Sequence, residues 1–219
     1  MPAEGALRDR LGAGHALIET LRWEPGAGFL RLERHLARIA ASARAFAIPF
    51  DPQRAREALA GAADADRPLR MRLTLGADGA IAASATPFDP PAADASWRLA
   101  VARTRTSSGD PLVRHKTTRR ALYEQARAEF AASEAAEVVL LNERGEVCEG
   151  TMTNVFLDTG SGPLLTPALA CGLLPGVLRA ELIEAGRAAE SIVDLAALRS
   201  ATAIFVGNSL RGLIRAELA

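Results

Sequence analysis

The order of strand and helix signals in the first hundred residues constrains this fold more than any other feature. "HALIETLRW" (15–23) reads as a strand, and "EPGAG" is a turn before a second short strand, "FLRL". "ERHLARIAASARAFAI" (33–48) then sets Leu36, Ile39, Ala40, Ala43 and Ala47 at helical spacing, with Pro49 as the stop. "DPQRAREALAGAA" (51–63) is a second helix, capped by Asp51 with Pro52 at its first position. "LRMRLTL", the turn "GADG" and "AIAASATPF" form a hairpin, and "SWRLAVART" is a further strand. Two strands, two helices and three strands make an α+β unit.

"TSSGDP" (106–111) has linker composition. The spacing after it predicts a helix over 117–130, the strand "EVVLLN", a turn at "ERGE" and the strand "VCEGTMTNVFL". "PGVLRAELIEAGR" is a helix with Pro175 at its start, and "AIFVGNSLRGLI" is a strand entering a polar turn. Two sub-domains follow, 1–106 and 107–219, with the substrate expected in a cleft between them. The formal net charge of zero offers no basic field for nucleic acid or an anionic membrane. Two cysteines cannot build a disulfide framework, which fits a reducing, cytoplasmic setting. The first residues lack the apolar run of a signal peptide, and no segment reaches the ~20 apolar residues of a membrane span.

Of the 26 cationic side chains, only Lys116, in "RHKTTRRALYEQA", is lysine. A guanidinium stays protonated, whereas a lysine amine can lose its proton and attack a carbonyl. The lone lysine is therefore a candidate Schiff-base nucleophile or amine base. It is not the lysine of a phosphate-binding P-loop, because His115 and Asp110 stand where that loop needs glycine. The three His and two Cys lack metal-ligand spacing, and no G-x-S-x-G elbow is present.

"LIETLRW", "HKTTRRALYE", "LLNERGEVCEGTMTNVF", "GLLPGVLRAEL" and "NSLRGLI" together resemble the fold-type-IV pyridoxal-phosphate enzymes, the class IV aminotransferase family. Within it the chain is most similar to aminodeoxychorismate lyase. The resemblance implies a small α/β sandwich followed by a β-barrel-like α/β domain, with pyridoxal 5'-phosphate in the cleft. It implies a homodimer, acting on a small molecule and linked in function to aminodeoxychorismate synthase. Lys116 would carry the cofactor and move protons, and Thr20 would protonate the leaving group. Glu149 matches the partner of the pyridine nitrogen, and a carboxylate there keeps the ring an electron sink. Arg38 matches the arginine that grips the phosphate, although nothing intrinsic separates it from Arg31, Arg34 or Arg44. Gly176 and Val177 would offer backbone amides at a helix start. Asn208 would add another amide and Ser209 a hydroxyl. Arg211, and next Arg72, are candidates for the substrate carboxylates. His115 receives no role. Branched-chain aminotransferases carry a tyrosine where this chain has Ala121, and D-amino-acid aminotransferases carry one where it has Ile18. The implied activity is elimination of pyruvate from 4-amino-4-deoxychorismate to give 4-aminobenzoate for folate synthesis. The alternative is an aminotransferase acting on D-amino or branched-chain amino acids.

Overall fold

Side-chain alternation along two paired strands organises the first part of the chain. The computed structural model describes residues 6–219, and its elements here are α1 (Ala6–Leu11), β1 (Leu17–Glu24), β2 (Gly28–Phe29), α2 (Leu32–Ala45), α3 (Pro52–Ala62), β3 (Leu69–Leu75) and β4 (Ile81–Pro87). Antiparallel pairing sets Leu17 against Leu75, Glu19 against Leu73, Leu21 against Met71 and Trp23 against Leu69. Residues two apart share a face, so the apolar members of this set form one surface, and those on β3 are all buried. Each fully buried leucine contributes roughly 2 kcal/mol. The sheet order is β2-β1-β3-β4. Helix α2 packs on β1, and α3 packs on β3 and β4. The Asp51 carboxylate accepts from the Gln53 and Arg54 amides, so the expected cap of α3 is present.

Helix α2 ends at Ala45, ahead of Pro49. Ala47 adopts a left-handed conformation, φ 51°, and the Ile48 N–H reaches back to the Ala43 carbonyl at 2.8 Å. This closure satisfies the last carbonyls before proline is reached. It also lifts Ala47 out of the expected apolar stripe into solvent.

The second unit contains β5 (Ser96–Thr106), α4 (Ala121–Arg127), β6 (Glu137–Asn142), β7 (Val147–Gly150), β8 (Asn154–Asp158), β9 (Leu164–Pro167), α5 (Val177–Glu184), β10 (Ala188–Ser191), α6 (Leu195–Ser200), β11 (Ala203–Asn208) and β12 (Gly212–Leu218). Its sheet runs β10-β9-β8-β11-β12-β5-β6-β7. Strand β7 lies at one end of this order and β8 near the other, yet only Thr151–Thr153 separate them in the chain. A link that short spans ~14 Å at most, so the sheet must curl, as a half-barrel does.

The connecting turn is built on a buried carboxylate. Glu137 accepts from the Val138, Thr151 and Met152 amides and from the Thr151 and Thr153 hydroxyls, at 2.6 to 3.0 Å. A Cβ on Gly150 would stand 2.7 Å from the Glu137 carboxyl carbon, so only glycine admits this approach.

The division of the chain differs from the sequence expectation. One unit runs to Pro90 and adds His115–Arg119, and the other takes Pro91–Arg114 and Arg120–Ala219. The boundary expected at 106/107 is corrected because β5 pairs in parallel with β12 and β6, which places it in the second sheet. Linker composition at 106–111 marks a loop within that unit. Among the described residues no helix is long and apolar enough to cross a membrane, and no His, Cys, Asp or Glu cluster could hold a metal ion.

Alanine in the left-handed region is strained where glycine is not. Ala47→Gly is therefore expected to stabilise the protein by about 0.5–1 kcal/mol, read as a raised midpoint in urea unfolding.

Candidate active site

Lys116 is held by backbone pairing. The Ile18 N–H donates to the Lys116 carbonyl at 2.9 Å, and the Thr118 N–H donates to the Ala16 carbonyl at 2.9 Å. The Thr118 hydroxyl accepts from the Ala16 amide at 2.9 Å. Leu17 pairs with Thr117 on one side and Leu75 on the other. The Lys116 segment thus covers one edge of β1. The helix expected over 117–130 begins only at Ala121, because the backbone of 116–118 is committed to β1 and cannot also turn helically. His115 meets Ser42 Oγ at 2.9 Å through Nδ1 and the Phe46 ring edge-on at 4.8 Å. Its contacts anchor the segment to α2.

Arg38 lies on α2 and reaches Glu19. Arg38 Nε donates to Glu19 Oε1 at 2.8 Å and Nη2 donates to Oε2 at 2.6 Å. His35 Nδ1 lies 2.7 Å from the same Oε2. Glu19 is 1% exposed. Burial opposes its charge, but Arg38, by charge and hydrogen bonds, and His35 outweigh that cost and hold its carboxyl at about 2. The bidentate contact fixes the plane of the guanidinium. Sequence reasoning missed Glu19. Its signal was a carboxylate on the apolar face of a strand, between Leu17 and Leu21. On the opposite face of β1, Thr20 stands directly across from Arg72. The structure therefore makes these two candidates neighbours and turns both away from Glu19.

The remaining candidates belong to the second unit and converge there. Glu149, on β7, is 5% exposed and accepts from the Tyr123 hydroxyl at 2.8 Å. The turn after it is tied to β11, since Asn208 Nδ2 donates to the Met152 carbonyl at 3.1 Å. Asn208 Oδ1 also accepts from the Leu210 and Arg211 amides, so this side chain builds the polar turn that carries buried Ser209. A Cβ on Gly207 would lie 3.2 Å from a Leu178 methyl, which puts the end of β11 against the first turn of α5.

That first turn begins at Val177, with Gly176 as a cap that supplies no side-chain acceptor. Pro175 lies outside the helix rather than at its start. A Cβ on Gly176 would fall 1.8 Å from Asn154 Oδ1, and Asn154 in turn donates to the Leu174 carbonyl at 3.1 Å. Asn154 thus fixes the approach to the helix, a role that sequence reasoning did not assign. Arg211 sits over the Trp97 ring at 5.8 Å.

The donor set of the second unit suits a ligand with an anion at one end and a basic nitrogen at another. Helix-start amides without a side-chain cap, together with a buried hydroxyl, suit a phosphate. A buried carboxylate suits a protonated ring nitrogen.

Residues 16–218 match the family model described as amino-transferase class IV. The chain belongs to that family. A Mesorhizobium loti structure, "Putative amino-acid aminotransferase", is 56% identical with a TM-score of 0.91, covering 94% of this chain and 100% of that one. The Thermotoga maritima protein named "Probable branched-chain-amino-acid aminotransferase" is 30% identical, over 82% of this chain and 66% of its own length. The Schizosaccharomyces pombe protein named "Putative aminodeoxychorismate lyase" is 29% identical, over 92% of this chain and 89% of that one. The class IV fold, with its small antiparallel sheet and curled larger one, is the architecture that the motifs implied.

The Glu19 cluster carries a pH signature. Its carboxyl is lowered from 4.5 to about 2, so its stabilisation, on the order of 3 kcal/mol, is present above about pH 4.5. It is lost as the pH falls through about 2. Glu19→Gln should lower stability at pH 7, and its difference from the parent should narrow below about pH 4.5, as followed by thermal unfolding across pH.

Proposed function

We propose that this class IV protein uses pyridoxal phosphate to eliminate pyruvate from 4-amino-4-deoxychorismate, releasing 4-aminobenzoate. The observation that carries the cofactor is the sole lysine on a clamped segment, together with the buried Glu149 carboxylate and the helix-start amides of α5. When bound, the cofactor supplies an electron sink for a carbanion at the carbon bearing the substrate amine.

Lys116 would hold the cofactor covalently through its ε-amine. Displaced by the substrate amine, it would then take the proton from the amine-bearing carbon. Loss of enolpyruvate from the neighbouring carbon would leave an aromatic ring, a proton to the leaving group would complete pyruvate, and return of the Lys116 amine would free 4-aminobenzoate. Thr20 is the proposed donor of that proton. Glu149 would keep the ring nitrogen charged. Arg38, Gly176, Val177, Asn208 and Ser209 would grip the phosphate, with Arg211 and then Arg72 facing the substrate carboxylates. The proposed working form is a homodimer.

The lyase is preferred over an aminotransferase on two positions. Ala121 and Ile18 replace the tyrosines of the branched-chain and D-amino-acid enzymes. The sole tyrosine is engaged with Glu149 instead. The S. pombe relative supports the same reading. The aminotransferase alternative is favoured by the name of the M. loti relative.

Borohydride reduction of the yellow protein should fix the cofactor to Lys116, as peptide mapping would detect. Lys116→Arg should be about as inactive as Lys116→Ala, because retained charge does not restore a nucleophilic amine. No cofactor uptake, or label on a peptide lacking Lys116, would sink the cofactor reading.

The reaction is tested separately. Enzyme and aminodeoxychorismate mixed without a keto acid should release 4-aminobenzoate and pyruvate in equal amounts over many turnovers. No pyruvate, with conversion of D-alanine or a branched-chain amino acid when 2-oxoglutarate is added, would overturn the lyase in favour of the aminotransferase.

A further inference from the structure

Tyr123 is the only tyrosine in a chain that uses phenylalanine seven times. The ring packs beside a cluster formed by Ala100, Ala102, Ala126, Ala135, Val138 and Leu140. A phenylalanine would serve that packing equally well. The Arg120 guanidinium lies over the ring, 4.8 Å from its centroid, and a phenylalanine would also serve that contact. What phenylalanine cannot supply is the hydroxyl, which donates to Glu149 Oε1 at 2.8 Å.

The arrangement is braced again just beyond Glu149. Arg120 Nη2 donates to the Thr151 carbonyl at 2.6 Å, in the turn that follows β7. The start of α4 therefore holds this strand through one hydrogen bond to the acid and one to the backbone beyond it. The ionisable groups acting on the Tyr123 hydroxyl are Glu149 and Cys148 on β7 and Arg120 at the start of α4. Facing residues of β5 and β6 are apolar. Burial first, and then the neighbouring Glu149 charge, push the phenol well above its ordinary value of 10. The hydroxyl accordingly remains a donor throughout the working pH range.

We infer that Tyr123 is a positioning residue that orients the Glu149 carboxylate and favours its ionised form toward the cofactor's ring nitrogen. The inference rests on the cofactor reading above. A hydrogen bond donated to a carboxylate favours its charged form, and Glu149 is useful to the ring nitrogen only in that form. Without the hydroxyl, the Glu149 carboxylate loses the donor that fixes its orientation toward the ring nitrogen. With pyridoxal phosphate bound, Glu149 would then hold less positive charge at the ring nitrogen, and the visible-band titration would move to higher pH.

The test compares the parent, Tyr123→Phe, Glu149→Gln and the double variant, each loaded with pyridoxal phosphate. Tyr123→Phe should take up the cofactor and unfold near the parent temperature. Its visible-band pH titration should have a midpoint higher by roughly half a unit or more. Its kcat should fall about tenfold with KM nearly unchanged. In the Glu149→Gln background the same change should move the midpoint no further, because the two groups act as one unit. A parent-like midpoint and kcat in cofactor-loaded Tyr123→Phe would overturn the inference while leaving the cofactor reading intact. A full shift in the Glu149→Gln background would overturn it as well. Failure of the parent to bind pyridoxal phosphate would remove both.

Discussion

A single rung of backbone hydrogen bonds, from Ile18 to the Lys116 carbonyl and from Thr118 to the Ala16 carbonyl, is the contact on which the proposed chemistry depends. A reactive amine is useful only if its Cα is fixed, because a four-carbon side chain has many rotamers to lose. Lysine on a helix would take its direction from the helix axis. Here the direction comes from a strand edge, with His115 seated against Ser42 and Phe46 on one side and Thr118 bonded back to Ala16 on the other. The wider fold supplies rigidity to this short segment, and β1 is itself anchored on its opposite edge by pairing with β3 from Leu17 to Trp23.

Three buried glutamates divide the electrostatic work, and each offsets its desolvation differently. Glu19 is matched by a guanidinium and an imidazole, so its charge fixes another charge. Among the described residues Glu137 has five neutral donors and no cation as hydrogen-bond partners, which makes it a template for a turn. Glu149 receives a phenol. A carboxylate in an apolar setting costs several kcal/mol unless hydrogen-bonded, so none of these positions tolerates loss of its partners at little cost. The first two acids act on protein geometry, while the third is the one suited to act on a ligand.

Much of this was legible in the sequence because the relevant signals are local. The hairpin of β3 and β4, the Asp51 cap and the apolar stripe of α2 all follow from spacing within a few residues. The candidates of the second unit were legible through motifs. What could not be read was whatever depends on long-range pairing. Nothing local distinguishes β5 as a strand of the second sheet, since its partners β12 and β6 come later in the chain. The delayed start of α4 likewise follows from a bond to residue 18. The pairing of Arg38 with Glu19, nineteen residues earlier in the chain, was also beyond the reach of local spacing. The motifs drew attention to Ala121, where a tyrosine is missing, and not to Tyr123 two residues on, whose contact with Glu149 only the structure shows.

The return of His115–Arg119 to the first unit has a consequence for the order in which the protein is made. Synthesis proceeds from the N-terminus, and domains generally fold as they emerge. Strands β1, β3 and β4 and both covering helices are complete by Pro87, but the partner for residues 16–18 is still unmade. During that interval the start of β1 is an open strand edge, the kind of surface that pairs with foreign chains. The segment that closes it is the one bearing Lys116. The nascent first unit therefore loses its exposed edge at the moment its only lysine is installed.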